Sequence, residues 1–196
     1  MNICVYGAAS DEIAEIFKTA GEALGEAMAI RGHSLIFGGG ASGLMGATAR
    51  GMSRSGGRIV SIAPSFFDVD GVIYPECDEY IFTETMRDRK RRMEDMSDAF
   101  IISPGGIGTF DEFFEIFTLR QLGRHSKPIA ILNTDGYYDH LLEMLRHTAD
   151  LSFMDPNNFD LIFTSDDPEA ILDYIEDPPK ITIDIKKLRR IDKDKS

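Results

Sequence analysis

The chain has 196 residues, of which 43% are hydrophobic and 28% are charged, and its formal net charge is −12. This length and composition predict one soluble globular domain with a sizeable core. The strong negative charge argues against affinity for nucleic acid polymers. No apolar run approaches the roughly 20 residues that a membrane-spanning helix needs, and the first residues lack the pattern of a signal peptide. The two cysteines are far apart in the sequence and make no disulfide framework, so we expect a cytoplasmic protein. The negative charge and the short apolar runs predict that it contacts neither nucleic acid nor a membrane.

Short apolar runs alternate with segments of helical periodicity along the sequence. In chain order, the pattern predicts a strand at 3–6, a helix at 11–30, a strand at 35–37, a helix at 44–54, strands at 58–62 and 80–82, a helix at 85–97, a strand at 99–102, a helix at 110–122, a strand at 128–132, a helix at 138–150, a strand at 161–163 and a helix at 168–175. Thr85 and Thr109 are the predicted N-caps of their helices, and Pro168 suits a first turn. Residues 64–75 are irregular and are expected to form a loop over the sheet edge.

Strands that alternate with helices in this way predict an α/β fold with a doubly wound parallel sheet. Ligands of such sheets bind at the carboxyl ends of the strands, near the switch in strand order. The loops after Tyr6, Phe37 and Ile102 are therefore expected to meet at one site. The predicted domain covers residues 1–176, and residues 177–196 form a charged C-terminal extension.

The stretch from Ser103 to Glu112 is the strongest candidate for a ligand site. It follows a buried strand, contains three glycines and leads into a helix. Glycines let the backbone approach a ligand closely, and the free N–H groups of a helix start attract anions. The sequence T-x-x-E from Thr109 to Glu112 is also a capping box, which needs no function beyond starting a helix. The glycines favour a nucleotide phosphate site, and the two roles can coexist.

Glu112 is the candidate for chemistry at this loop. On a helical projection it lies close to Ile116 and Leu119, while phenylalanines mark the opposite face. A helix that is apolar on two sides is buried on two sides, so Glu112 is expected to be partly desolvated. Burial raises the pKa of a carboxyl group toward a range that is useful for acid–base chemistry. Asp111 points elsewhere on the helix and is the weaker candidate.

Arg89 is the candidate on the basic segment that follows Thr85. A charge run is usually solvated surface, but Met86, Met93 and Met96 form one helical stripe and Arg89 lies within it. A basic residue on an inward face needs an anionic partner, which favours a functional role. Lys90 lies at the edge of the stripe, so a functional and a surface role are equally open for it.

The stretch from Gly38 to Gly43 formally matches the G-x-G-x-x-G dinucleotide fingerprint. The next strand ends in Ala63 and Pro64 instead of the acidic residue that would hold a ribose. A nicotinamide-dependent enzyme is therefore disfavoured, and these glycines are expected to give tight packing and part of a pocket wall. The four histidines show no metal-ligand spacing with one another or with the cysteines, so we expect no metal site.

With these motifs placed, the sequence resembles the Lonely Guy (LOG) family of cytokinin riboside 5′-monophosphate phosphoribohydrolases. The family's P-G-G-x-G-T-x-x-E motif is present from Pro104 to Glu112, and its M-x-x-R-K element from Met86 to Lys90. The stretch from Gly38 to Gly46 is similar to its G-G-G-x-x-G-L-M-G loop. The similarity spans about residues 1–176. Two further matching segments are 121–128 and 135–138.

The resemblance implies a Rossmann-like fold, a homodimer or higher homo-oligomer, and no cofactor. It also implies hydrolysis of the N-glycosidic bond of a nucleoside 5′-monophosphate to a free base and ribose 5-phosphate. The family's catalytic arginine and glutamate correspond to Arg89 and Glu112. The substrate-binding residues expected from the resemblance and the loop pattern together are Lys90, Gly105, Gly106, Ile107, Gly108, Thr109, Asp111, Thr118, Gly39, Gly40 and Ser10.

The sequence departs from the family at Gly7–Ser10, where C-G-S-S is usual, and at Arg87, where many members have histidine. The preferred base stays open between a cytokinin and the adenine of AMP. Members are often labelled lysine decarboxylases, but no lysine here lies in a recognisable pyridoxal phosphate site. The alternative function is a non-catalytic nucleotide- or cofactor-binding carrier of the same fold. An acidic residue beside a phosphate loop suits pure anion binding poorly, which favours the enzyme.

Overall fold

The computed structural model describes residues 1–181. Strands and helices alternate along this part of the chain. In chain order they are β1 (Asn2–Tyr6), α1 (Glu15–Ile30), β2 (Ser34–Phe37), α2 (Gly43–Arg54), β3 (Ile59–Pro64), β4 (Glu79–Thr83), α3 (Met86–Met96), β5 (Ala99–Ile102), α4 (Ile107–Gln121), β6 (Ile129–Leu132), α5 (Asp139–Asp150), β7 (Ile162–Ser165) and α6 (Pro168–Glu176). Short 3₁₀ turns lie at Ser65–Phe67, Thr134–Gly136 and Pro156–Leu161.

The seven strands form one parallel sheet in the order β4–β3–β2–β1–β5–β6–β7. Strand β1 is central, because Ile3 is in register with Leu35 of β2 on one side and with Ala99 of β5 on the other. The strand order reverses between β1 and β5, so the carboxyl ends of these two strands form the switch point. The predicted doubly wound α/β fold is confirmed.

Helices cover both faces of the sheet, which is why the strands are almost continuous apolar runs. On one face α1, α2 and α6 pack against the sheet, and Leu24 and Met52 are fully buried there. On the other face α3, α4 and α5 bury Met93 and Phe113. Within residues 1–181, no helix is long and apolar enough to cross a membrane.

The predicted strands and helices are all present, with differences at their ends. Helix α1 begins at Glu15, four residues later than predicted. Thr85 is the N-cap of α3, as predicted, and its hydroxyl accepts a hydrogen bond from the Asp88 amide at 3.1 Å. Pro168 lies in the first turn of α6. Residues 182–196, which include most of the predicted extension, lie outside the described residues.

The predicted N-cap at Thr109 is wrong. Helix α4 begins at Ile107 with Gly106 in the cap position, so Thr109 lies in the first turn and is buried. The capping box does not form, because Glu112 does not reach back to the helix start. Its carboxylate instead accepts a hydrogen bond from Arg89 on α3. A long-range ion pair has replaced the local contact that the sequence suggested.

Candidate active site

A cavity of about 600 Å³ opens at the switch point of the sheet. The loops after β1, β2 and β5 meet there, as the sequence predicted. They contribute residues 7–10, 38–42 and the start of α4. Residues 67 and 71–73 close the side near β3, and Met86 and Arg89 of α3 complete the wall.

The start of α4 presents free backbone N–H groups to this cavity. Gly106 is the N-cap, no side chain in the described part of the chain caps the helix, and Gly106, Gly108 and Thr109 all line the cavity. Because the first N–H groups of a helix lack intrahelical acceptors and lie at the positive end of its dipole, such a start binds anions. This helix start can hold a phosphate group.

The glycine-rich loop before α2 also borders the cavity, but its helix start is already occupied. The Asp11 carboxylate accepts a hydrogen bond from the Gly43 amide at 3.0 Å. The Ala8 carbonyl accepts from the amides of Leu44 and Met45 at 3.0 and 3.1 Å. Gly43 has a φ of 62°, and a Cβ there would collide with the carbonyl of Ala8. The loop therefore shapes the cavity wall and offers no anion site of its own.

Arg89 and Glu112 form a buried ion pair at the cavity wall. The Arg89 Nη1 donates to Glu112 Oε1 at 2.7 Å, and the Arg89 Nε donates to the carbonyl of Ile62 at 3.2 Å. The two residues are only 7% and 8% exposed. A Cβ at Gly38 would collide with the guanidinium, so the first glycine of the second loop makes room for this arginine.

Burial raises the pKa of Glu112 above its ordinary value, although the neighbouring Arg89 charge opposes this effect. Desolvation destabilises the ionised carboxylate, while the guanidinium 2.7 Å away stabilises it. The expected desolvation of Glu112 is therefore present. A carboxylate in this state is suited to acid–base work or to stabilising positive charge.

Most of the predicted site residues lie together around the cavity. Those that line it are Ser10, Gly39, Gly40, Arg89, Gly106, Gly108, Thr109, Asp111 and Glu112. Four others do not line it. The Gly105 carbonyl accepts a hydrogen bond from the Tyr137 hydroxyl. Ile107 is 81% exposed, and Thr118 is also exposed. Lys90 binds Asp111 at 2.8 Å and Glu115 at 2.6 Å, outside the cavity.

The sequence interpretation missed a set of apolar side chains in the lining of the cavity, which we call the apolar wall. Its members are Met45, Phe67, Val72, Ile73 and Met86. The segment that carries three of them is fastened to the glycine loop, because Ala41 donates to the Val72 carbonyl at 3.0 Å and Tyr74 donates to the Gly39 carbonyl at 2.8 Å. Paired apolar residues at 66–67 and 72–73 in an otherwise irregular stretch were the available signal.

No group of three or more histidine, cysteine or acidic side chains with the geometry of a metal site occurs within residues 1–181. Cys4 is buried in β1, and Cys77 is half-buried near the far edge of the sheet. Burial raises the pKa of the Cys77 thiol to about 11, so this thiol is protonated at neutral pH.

Known proteins are similar to this chain in sequence and in fold. A family model described as "Possible lysine decarboxylase" matches residues 45–175. A Mycobacterium tuberculosis protein named cytokinin riboside 5'-monophosphate phosphoribohydrolase is 39% identical over 170 residues, which are 87% of this chain and 90% of that protein. An Arabidopsis thaliana protein of the same name is 32% identical over 177 residues, covering 89% and 76% of the two chains. The chain belongs to the LOG family.

Solved structures similar to this LOG protein include carrier proteins. The molybdenum cofactor binding protein of Rippkaea orientalis superposes with a TM-score of 0.69 at 23% identity, covering 89% of this chain and 94% of that one. The Moco carrier protein of Chlamydomonas reinhardtii gives 0.67 at 21% identity with the same coverage. At these identities the likeness shows a common fold. Three of the motifs shared with the LOG family border the cavity at the switch point, namely those at Gly38–Gly46, Met86–Lys90 and Pro104–Glu112. The matching segments 121–128 and 135–138 do not line it.

Proposed function

We propose that this protein hydrolyses the N-glycosidic bond of a nucleoside 5′-monophosphate, releasing a free base and ribose 5-phosphate. The observation that carries the proposal is the buried Arg89–Glu112 pair beside an open helix start in one cavity. The helix start suits a phosphate, and the carboxylate suits a sugar that becomes positively charged. The activity named for the curated relatives is the same.

Glu112 is the proposed catalytic carboxylate. Cleavage of a ribosyl–base bond passes through an oxocarbenium-like transition state, which a nearby carboxylate stabilises. The same carboxylate orients the attacking water. The adjacent Arg89 guanidinium favours the ionised form that both tasks require.

Arg89 is the proposed second catalytic residue. Its guanidinium already has one contact to Glu112 and one to the Ile62 carbonyl, and these contacts fix its plane. From this position it assists the departing base or contacts the phosphate. We assign phosphate binding chiefly to the backbone amides of Gly106, Gly108 and Thr109, since they line the cavity at the positive end of α4.

The apolar wall is the proposed site of the base. Met45, Phe67 and Val72 present hydrophobic surface to the same cavity that the ion pair borders. A purine face packs well on such a surface, and so does an apolar substituent on the exocyclic nitrogen. The proposed substrates are therefore a cytokinin riboside monophosphate or AMP. Ser10, Gly39, Gly40 and Asp111 complete the pocket, while Lys90 supports its rim through Asp111.

We further propose a homodimer or a higher homo-oligomer in the cytoplasm. Support comes from Ile107, which is 81% exposed at the start of α4, and from the exposed side chains of Phe67 and Met86 in the cavity wall. Partial cover of such apolar surface by a second subunit is favourable. We place the LOG-like domain at residues 1–176 and a charged extension at 177–196.

Base release provides the test. The purified protein is incubated with AMP and with isopentenyladenosine monophosphate, and the free base is measured by chromatography. We expect release from at least one substrate, and a fall in kcat of two to four orders of magnitude for Glu112→Gln. The matched control is Glu143→Gln, which removes an exposed carboxylate on α5 and is expected to leave the rate unchanged.

A binding protein without turnover is the alternative, and the carriers of the same fold motivate it. It predicts tight binding without base release, and an affinity that does not fall when Glu112 is replaced. Absence of release from a range of nucleoside monophosphates contradicts the hydrolase. A fully active Glu112→Gln variant contradicts only the role assigned to that residue.

A further inference from the structure

Two adjacent tyrosines contact the backbone of residues 103–106, the segment before α4 that we call the phosphate loop. Neither tyrosine lines the cavity. The Tyr137 hydroxyl donates to the carbonyl of Gly105 at 2.7 Å. The Tyr138 hydroxyl donates to the carbonyl of Ser103, also at 2.7 Å. Both tyrosines follow the turn after β6, more than 30 residues away along the chain. The loop is thus held by a part of the protein that the proposed reaction does not use.

The carbonyls of the phosphate loop are all engaged within the protein. The carbonyl of Pro104, which lies between the two tyrosine contacts, accepts from the Ala8 amide at 3.0 Å. The next carbonyl, that of Gly106, accepts from the Phe110 amide inside α4. Since 103, 104 and 105 do not line the cavity, whereas Gly106 does, this segment presents amide groups and no carbonyl oxygen to a ligand.

The contact to Gly105 determines the direction of one amide group in particular. In a trans peptide the C=O and N–H point in opposite directions, so a fixed Gly105 carbonyl fixes the Gly106 N–H. The peptide between two glycines is the one that rotates most easily, because neither residue has a Cβ. A Cβ at Gly106 would meet nothing within 4 Å, whereas a Cβ at Gly105 would collide with the Thr109 side chain. Packing therefore restrains only the Gly105 end of this peptide, and the hydrogen bond from Tyr137 holds its carbonyl oxygen.

The turn at residues 133–136, which precedes the tyrosines, is held in one conformation by hydrogen bonds at its two ends. The Asn133 side-chain oxygen accepts from the Tyr138 amide at 2.7 Å, and its nitrogen donates to Asp139 Oδ1 at 2.8 Å. Asp135 and Gly136 both have positive φ, 53° and 68°. A non-glycine residue in that conformation persists only where its surroundings require it.

The rings are also held in place. Tyr138 is 1% exposed and contacts Phe110 of α4 edge to face. Tyr137 is 42% exposed and contacts Phe17 of α1 in the same way. The two tyrosine rings are perpendicular, with centroids 4.9 Å apart. Each hydroxyl is therefore positioned by packing before any ligand arrives.

We propose that Tyr137 is a positioning residue for the phosphate group of the substrate, with Tyr138 supporting it. By anchoring the Gly105 carbonyl, Tyr137 keeps the Gly106 amide directed into the cavity. Neither tyrosine lines the cavity, so their effect on the ligand passes through the loop. This inference rests on the proposed nucleoside monophosphate site, but it concerns phosphate binding and not bond cleavage.

The test compares ligands with and without a phosphate group on the full chain. Isothermal titration calorimetry measures the affinity of ribose 5-phosphate and of adenosine for the wild type, Tyr137→Phe and Tyr138→Phe. We expect Tyr137→Phe to weaken ribose 5-phosphate binding about threefold to tenfold, since one modest hydrogen bond is lost, and to leave adenosine binding unchanged. The matched control is Tyr174→Phe, because the Tyr174 hydroxyl is buried without a partner among the described residues. It is expected to change neither affinity.

Each outcome decides the proposal. A selective loss of phosphate affinity supports it. An unchanged affinity for ribose 5-phosphate in Tyr137→Phe overturns it, and so does an equal loss for both ligands, which indicates general disruption. Because Tyr137 is partly exposed, its variant is expected to fold even where Tyr138→Phe does not. If the wild type releases no base but the selective loss occurs, the hydrolase fails and the positioning role stands.

Discussion

Two glycine-rich loops lead into helices at the same end of this sheet, and they have opposite outcomes. At α2 the Asp11 carboxylate and the Ala8 carbonyl accept hydrogen bonds from the first amides of the helix. At α4 no side chain of the described residues caps the helix, and Gly106, Gly108 and Thr109 line the cavity. The two starts are alike in glycine content and differ in whether the chain supplies its own acceptors.

This difference shows what a glycine-rich motif does and does not determine. Glycines allow the backbone to turn and a helix to start close to a ligand. Whether the helix start then binds a ligand depends on residues that lie elsewhere in the chain. Asp11 is 32 residues before the amide that it accepts from. The G-x-G-x-x-G match at Gly38–Gly43 therefore marks part of the cavity wall, while the loop at Pro104 leads into the proposed anion site.

Among the changes that test this comparison, the largest effect is expected from giving the start of α4 a capping carboxylate like the one at α2. Gly106→Asp places a capping carboxylate at α4, where the backbone is extended and a Cβ has open space. Aspartate is a favoured N-cap, so the variant is expected to fold, but its charge takes the phosphate position and repels the ligand. We expect kcat/KM for AMP and the affinity for ribose 5-phosphate to fall by about two to three orders of magnitude.

Gly106→Asn is the control for this change, since asparagine also caps but carries no charge. Its loss of affinity is expected to be smaller than that of the aspartate variant. If Gly106→Asp binds ribose 5-phosphate as the wild type does, the phosphate does not lie at the start of α4.

A second effect concerns the two carboxylates, which lie in opposite environments. Burial raises the pKa of Glu112 above its ordinary value of 4.5. The Gly43 amide, followed by Lys18, lowers the pKa of Asp11 below 3.8. If ionised Glu112 is the catalytic form, kcat/KM declines about tenfold per pH unit as pH falls below the raised pKa.

The measurement is a pH–rate profile, with carboxyl titrations followed by NMR on the wild type and on Glu112→Gln. A resonance that titrates above 4.5 and disappears in the variant identifies Glu112. A rate profile that shows no group above the normal glutamate range contradicts the assignment.

The smallest effect is expected from removing the side-chain acceptor at the start of α2. Asp11→Ala removes the acceptor of the Gly43 amide, so the melting temperature is expected to fall by a few degrees at neutral pH. Because the folded pKa of Asp11 is lowered, its contribution to stability is present above about pH 4 and is lost as pH falls through the folded pKa. The difference between variant and wild type should therefore vanish in acid.

Asp11→Asn keeps a capping oxygen and is expected to retain most of the stability. Calorimetric melting curves at several pH values measure both variants. An Asp11→Ala protein that melts at the wild-type temperature at pH 7 shows that this cap does not stabilise α2.

The fold was predictable because each strand is a short apolar run and each helix has a clear period. The burial of Glu112 and Arg89 was also predictable, because each lies on an otherwise apolar helix face. A buried charge needs a partner of opposite charge, and these two residues form an ion pair with each other. What failed was local: Thr109 was predicted as a cap, but the helix begins two residues before it. Helix starts depend on tertiary contacts as much as on capping residues.

The missed parts of the site all depend on contacts between distant segments. The apolar wall exists because Ala41 pairs with Val72, and the back of the phosphate loop is held by Tyr137. No periodicity in a single segment reveals such pairings. Apolar residues in an irregular stretch such as 64–75 indicate that the stretch packs on another part of the protein, but they do not indicate which part.

Ala8 joins the two helix starts directly. Its amide donates to the Pro104 carbonyl of one loop, and its carbonyl accepts from Leu44 and Met45 at the start of α2. A single residue therefore acts as a spacer between two walls of the cavity. The gap between the phosphate loop and α2 cannot widen without breaking the hydrogen bonds of Ala8 on one side or the other. The width of the cavity at this point is therefore set by the backbone of Ala8 and not by a side chain.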